Sequence, residues 1–152
     1  MGPYDIIIDD GSHVPKHMIF SFFTLFKKCL NPGGLFVIED LETNYWDVEW
    51  PSFGVKLEGT GFSASPADSA VEKMKQFIDI LARYQLHSPD LSIMDGDEAI
   101  CSIEFGMNIL VVKKCTLEDM RIRPGRLPKS RVDVPSRDKF VAEAKKTNPL
   151  IE

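Results

Sequence analysis

The chain has 152 residues, 43% of them apolar, which is long enough for one domain with its own core. Its formal charge of −5 excludes generic nucleic-acid binding, which needs a basic excess to neutralise phosphates. No apolar run approaches the ~18 residues of a membrane span, and the N-terminus lacks a signal-peptide pattern, so a soluble cytoplasmic protein with no membrane partner is expected. The charge is uneven: residues 1–112 carry 7 Lys and Arg against 17 Asp and Glu, whereas residues 113–139 carry 9 against 4, an acidic body with a basic tail. Cys29, Cys101 and Cys115 form no CxxC pair, so neither a disulfide framework nor a zinc site is expected, and a reducing compartment fits.

Tyr4 to Asp9 is a β-branched apolar run that reads as a strand buried on both faces. Met18, Ile19, Phe22, Phe23, Phe26, Cys29 and Leu30 then recur at helical spacing, until Asn31-Pro32-Gly33-Gly34 stops the helix. Leu35 to Ile38 makes a second strand ending in Glu39-Asp40, which completes a parallel βαβ unit. Leu41 to Ser65 reads as a long loop of aromatics, glycines and acids, a length usually reserved for functional loops. Pro66 opens a second amphipathic helix carrying Val71, Met74, Phe77, Ile78 and Leu81 and running to about Leu86. Ala99 to Phe105 and Asn108 to Val112, joined by Gly106-Met107, predict a hairpin. The division is therefore a partial α/β domain over residues 1–114 and a basic, largely extended tail over 115–152, with a short helix around Arg137 to Lys146.

Ligands of open α/β sheets bind beyond the carboxyl ends of the strands. Here both strands of the βαβ unit end in acids, Asp9-Asp10 and Glu39-Asp40. Neighbouring strands lie about 4.8 Å apart, so these carboxylates converge on one crevice, where they repel unless a cation or proton lies between them. Oxygen ligands of this kind suit a hard divalent ion, Mg²⁺ or Ca²⁺. The alternative is that the acids are solvated or cap helices, with Asp10 or Ser12 capping the first one. His13, just past Gly11, could take a proton from a hydroxyl acidified by such a cation, or could sit exposed in the first helical turn. His17 reads as surface or helix packing.

The stretches YDIIIDDGSH, NPGGLFVIEDLETNYW and ICSIEFGMNILVVKK resemble the C-terminal half of a class I S-adenosylmethionine-dependent methyltransferase. The likeness is to the metal-dependent sugar O-methyltransferases of macrolide biosynthesis, the mycinamicin and macrocin group, over roughly residues 4–114. The resemblance implies a Rossmann-like α/β sheet and S-adenosylmethionine and Mg²⁺ as cofactors, with a sugar or small-molecule hydroxyl as acceptor. It implies further that Asp10, Glu39 and Asp40 hold the Mg²⁺, that His13 is the base, that Asp10 and Gly11 lie beside the donor, and that Thr43, Tyr45 and Trp46 lie near substrate or donor.

The sequence departs from that family in having no GxGxG turn for the donor. In the family strand order 3-2-1-4-5-7-6, the chain then begins at the fourth strand, and the first three are missing. The resulting apolar edge at Ile6, Ile7 and Ile8 is expected to pair with another chain, as a homo-oligomer or strand-exchanged dimer through residues 4–9. A non-catalytic half-domain that serves as a binding module is the alternative to an enzyme, and the basic tail could dock on an acidic surface.

Overall fold

A computed structural model of the chain describes residues 2–50, 55–58, 68–83 and 90–122. Strands β1 (Tyr4–Asp9) and β2 (Leu30–Glu39) are parallel neighbours, with Ile6 opposite Leu35 and Asp9 opposite Ile38. Helix α1 (Pro15–Cys29) makes the crossover between them. Two short strands follow, β3 (Asp47–Trp50) and β4 (Val55–Glu58), then helix α2 (Ala70–Ala82) and the antiparallel strands β5 (Ile100–Gly106) and β6 (Ile109–Lys114). The main sheet has the order β1-β2-β6-β5, with β6 antiparallel to both neighbours. This is the 4-5-7-6 end of the order expected from the resemblance.

The core lies on one face of this sheet. Phe36 and Ile38 of β2 and Leu110 and Val112 of β6 alternate inward and are fully buried. They meet Met18, Phe22 and Phe26 of α1 and Met74, Phe77 and Ile80 of α2. Phe22 sits at the centre, 4.9 Å from the Phe26 ring, 5.2 Å from Phe36 and 5.7 Å from Phe77 between ring centroids. Gly34 has to be a glycine, since a Cβ there would lie 2.8 Å from the Asp5 carbonyl across the β1–β2 pair.

Several expectations need correction. β1 is not buried on both faces: Ile7 packs against the core, while Ile6 and Ile8 are each 57% exposed, because among the described residues β1 pairs only with β2 and both helices cover the same side. β2 begins at Leu30, so the Asn-Pro-Gly-Gly segment runs as strand, with Gly33 at φ +83° donating its N–H to the Cys115 carbonyl. The expected loop after Asp40 contains a 3₁₀ turn, Leu41–Tyr45, and the β3–β4 hairpin, with Asp47 opposite Glu58.

The second helix starts at Ala70 rather than Pro66. Ser69 caps it by accepting the Glu72 N–H, the Ser-x-x-Glu arrangement of a capping box. Leu117–Ile122, read as extended, is a short helix α3, where Thr116 and Asp119 cap reciprocally. Cys101 and Cys115 form a disulfide across the β5–β6 end, because a register irregularity between Ile100 and Ser102 brings Cys101 opposite the chain leaving β6. Cys29 remains a free thiol. The helix expected around Arg137 to Lys146 lies outside the described residues. No helix among the described residues is long and apolar enough to cross a membrane.

Candidate metal and active site

The carboxyl ends of β1 and β2 lie side by side, so the residues that leave them share one crevice. Asp9 is not part of it: its carboxylate accepts a hydrogen bond from the Ser21 hydroxyl at 2.7 Å, which ties β1 to α1. Asp10 points outward at 64% side-chain exposure, and after Gly11 and Ser12 the chain turns back through His13 at φ +53°. Val14 then precedes α1, with no side-chain cap bond, so neither Asp10 nor Ser12 serves as the helix cap. Asp40 leaves β2 in the left-handed region, φ +55°, and its carboxylate makes no cap bond to the 3₁₀ turn it starts.

These two turns bring His13 Nε2 to 3.6 Å from Asp10 Oδ1 and 3.4 Å from Asp40 Oδ2. One ligand atom from each of Asp10, His13 and Asp40 lies within 4.8 Å of the others. The His13 side chain is only 16% exposed, and its Nδ1 is buried without a hydrogen-bond partner. Nε2 is therefore the nitrogen that faces the two carboxylates. The two carboxylates at this separation fit a hard divalent cation, which removes the repulsion between them, and the imidazole lies beside them.

Glu39, expected as a third metal carboxylate, is not in that cluster. It is the last residue of β2, opposite Ile109, and strand alternation sends it away from the face of Ile38. Thr43 is buried, and its hydroxyl bonds the Asp40 carbonyl at 3.1 Å, so it shapes the turn that carries Asp40. Tyr45 and Trp46 are partly exposed on the far end of that turn, and Gly11 is exposed beside Asp10. His17 is exposed, with its Nδ1 2.8 Å from the Ser12 hydroxyl.

Sequence reasoning passed over two asparagines. Asn44 is buried, and its side-chain oxygen accepts the Ala70 N–H at 2.7 Å while its amide donates to the Leu41 carbonyl at 3.0 Å. It thus joins the turn after Asp40 to the first turn of α2. Asn108, at the β5–β6 turn, donates to Asp40 Oδ1 at 3.1 Å. The Asn within Thr-Asn-Tyr-Trp and the Asn after Gly-Met were both visible, but their partners are distant in the chain.

No protein-family model matches the chain. It is 36% identical over 115 residues to the 8-demethyl-8-alpha-L-rhamnosyl tetracenomycin-C 2'-O-methyltransferase of Streptomyces olivaceus, covering 75% of this chain and 28% of that protein. It is 36% identical over 114 residues to the mycinamicin VI 2''-O-methyltransferase of Micromonospora griseorubida, covering 74% of this chain and 26% of that one. The chain therefore spans little more than a quarter of the length of these relatives. Among solved structures, the MycE methyltransferase of the mycinamycin biosynthetic pathway in complex with Mg and SAH superposes with a TM-score of 0.59 and 29% identity, over 94% of this chain and 33% of that one. In sequence and in fold the chain is similar to a segment of these O-methyltransferases.

Proposed function

We propose that the chain supplies the metal and acceptor side of an S-adenosylmethionine-dependent O-methyltransferase that acts on a hydroxyl of a sugar or small molecule. The observation that carries this is the convergence of Asp10, His13 and Asp40 at the ends of two parallel strands, in a fold shared with a methyltransferase solved with Mg and SAH. Asp10 and Asp40 are the carboxylates that would hold Mg²⁺. When bound, the ion would acidify a hydroxyl that it touches, and the donor would supply a methyl group on a sulfonium sulfur. His13 Nε2 takes the hydroxyl proton, and its burial on the Nδ1 side leaves the ring one direction in which to act. With both partners held there, the hydroxyl oxygen would bond the methyl carbon as the carbon–sulfur bond breaks, its electron pair leaving with sulfur. In-line alignment of the two partners supplies much of the rate in such a transfer. Gly11, beside Asp10, lets the backbone come close to the donor. Tyr45 and Trp46 flank the acceptor, at the end of the turn that Thr43 ties to the Asp40 carbonyl.

The sequence contains no GxGxG turn, so donor binding is the step that most needs a test. Titrating S-adenosylmethionine calorimetrically into the purified chain, with and without Mg²⁺, tests it. Saturable binding strengthened by Mg²⁺ supports an enzyme. A folded chain that binds neither component refutes the reading and favours a non-catalytic interaction module.

A second element of the proposal is self-association through residues 4–9. It is supported by the exposure of Tyr4, Ile6 and Ile8 on a strand that has a single neighbour among the described residues. Sedimentation at micromolar concentration should show a dimer, and a sharp monomer with full native structure would refute it. A cytoplasmic location fits the relatives' small-molecule chemistry, but the Cys101–Cys115 disulfide pulls against it, because reducing compartments rarely keep such bonds.

A further inference from the structure

We infer that Asn108, far from the acidic strand ends in sequence, is a positioning residue that sets the orientation of the Asp40 carboxylate toward the metal and His13. The inference rests on the reading of Asp10 and Asp40 as metal carboxylates and adds a residue to it. Asn is common in the left-handed position of a tight hairpin turn, and Asn108 has φ +62°. A turn residue of that kind needs only its backbone. Asn108 uses its side chain as well, and spends all of it on one distant turn. Its Nδ2 donates to Asp40 Oδ1 at 3.1 Å, its Oδ1 accepts the Glu42 N–H at 2.8 Å, and its carbonyl accepts the Leu41 N–H at 3.4 Å.

The geometry gives these bonds a consequence for the site. Asp40 Oδ1 is occupied by Asn108, and Oδ2 is the oxygen that lies 3.4 Å from His13 Nε2. The amide therefore fixes which carboxylate oxygen is presented to the crevice and stops the group from rotating. Among the described residues the non-glycine residues with positive φ are His13, Asp40 and Asn108, and they form one continuous chain of contacts. Such conformations persist where surrounding bonds enforce them. The three bonds from Asn108 to residues 40–42 do so for Asp40. Hydrogen-bond partners of metal-ligating carboxylates act in this way in general, and removing one weakens metal affinity by about 10–100-fold.

The test uses the full chain, with Mn²⁺ as a paramagnetic stand-in for Mg²⁺ followed by electron paramagnetic resonance. Asn108→Gly keeps the left-handed turn while deleting the side chain. Its Mn²⁺ dissociation constant should rise about tenfold, at the lower end of that general range because Asp40 is partly exposed. Met107→Gly loosens the same turn at a fully exposed residue and should leave the affinity unchanged. In an Asp40→Ala background, Asn108→Gly should have no further effect, since its action passes through Asp40. Asn108→Asp, which keeps the turn and the acceptor for Glu42 but loses the donor, should change the Mn²⁺ spectrum even if the glycine variant folds poorly. Unchanged affinity in folded Asn108→Gly, an equal loss in Met107→Gly, a full additional loss in the Asp40→Ala background, or an unaltered spectrum in Asn108→Asp would each overturn the inference. A wild-type chain that binds no Mn²⁺ would instead remove the metal reading beneath it.

Discussion

Replacing Lys114 with methionine tests how α1 is fastened to the sheet. α1 ends without a glycine, and Leu30 passes directly into β2, so the last-turn carbonyls lack the usual backbone partners. Lys114, at the end of β6, supplies them. Its Nζ donates to the carbonyls of Phe26 at 2.9 Å, Lys27 at 3.1 Å and Leu30 at 2.7 Å, and lies 5.5 Å from the centre of the Phe26 ring. Hydrogen bonds from a charged group contribute about 1.5–3 kcal/mol each, but burial of the ammonium offsets part of this and Lys27 O is only part-buried. The net loss in Lys114→Met is therefore about 2–4 kcal/mol, a fall of roughly 4–16 °C in melting temperature for a domain of this size.

Burial lowers the Lys114 pKa below 10.5, with the nearby Cys29 opposing the shift. Between the lowered folded value and 10.5 the unfolded chain binds more protons, so the wild type should gain stability relative to the variant as pH rises through that window. Urea unfolding at several pH values measures both effects. A destabilisation under about 0.5 kcal/mol, or a difference that shrinks as pH rises through the window, would refute this account of the α1 terminus.

Further outcomes follow from the same packing. Asn44→Ala should lower stability by about 1–3 kcal/mol in urea unfolding, because it removes the side-chain acceptor of the Ala70 N–H and the side-chain donor to the Leu41 carbonyl at a buried position. Phe22→Ala, at the centre of the ring cluster, should cost about 3–5 kcal/mol by the same measurement. A reductant should lower the unfolding free energy measured in urea by about 2–3 kcal/mol, since Cys101 and Cys115 close a loop with a sequence separation of 14. Ile8→Lys should weaken self-association in sedimentation while leaving the melting temperature within a few degrees, given the exposure of this side chain.

Much of the sheet could be read from local pattern. The apolar run at Tyr4 to Asp9, the four-residue spacing of Met18, Phe22 and Phe26, and the Gly106-Met107 turn signal each report an element through its own residues. The order β1-β2-β6-β5 came from the resemblance, because no local pattern says which strand β6 pairs with. Capping boxes at Ser69 and Thr116 were present in the sequence and mark helix starts that composition alone misplaced. What local reading could not supply were contacts between distant turns. Asn44 meeting Ala70, Asn108 meeting Asp40 and Cys101 meeting Cys115 depend on how the elements pack. The same limit applies to the site: paired acids at two strand ends announced a crevice, but which carboxylates face His13 is set by the left-handed turns at His13 and Asp40.

The most direct test of the account is an isothermal titration of Mg²⁺ into the wild-type chain and into Asp10→Ala. Asp10 is exposed and distant from the core, so its removal should leave the fold intact by circular dichroism. Saturable binding at one site is expected in the wild type, and its loss in the folded variant. Equal heats from both proteins, or no binding by a folded wild-type chain, would contradict it.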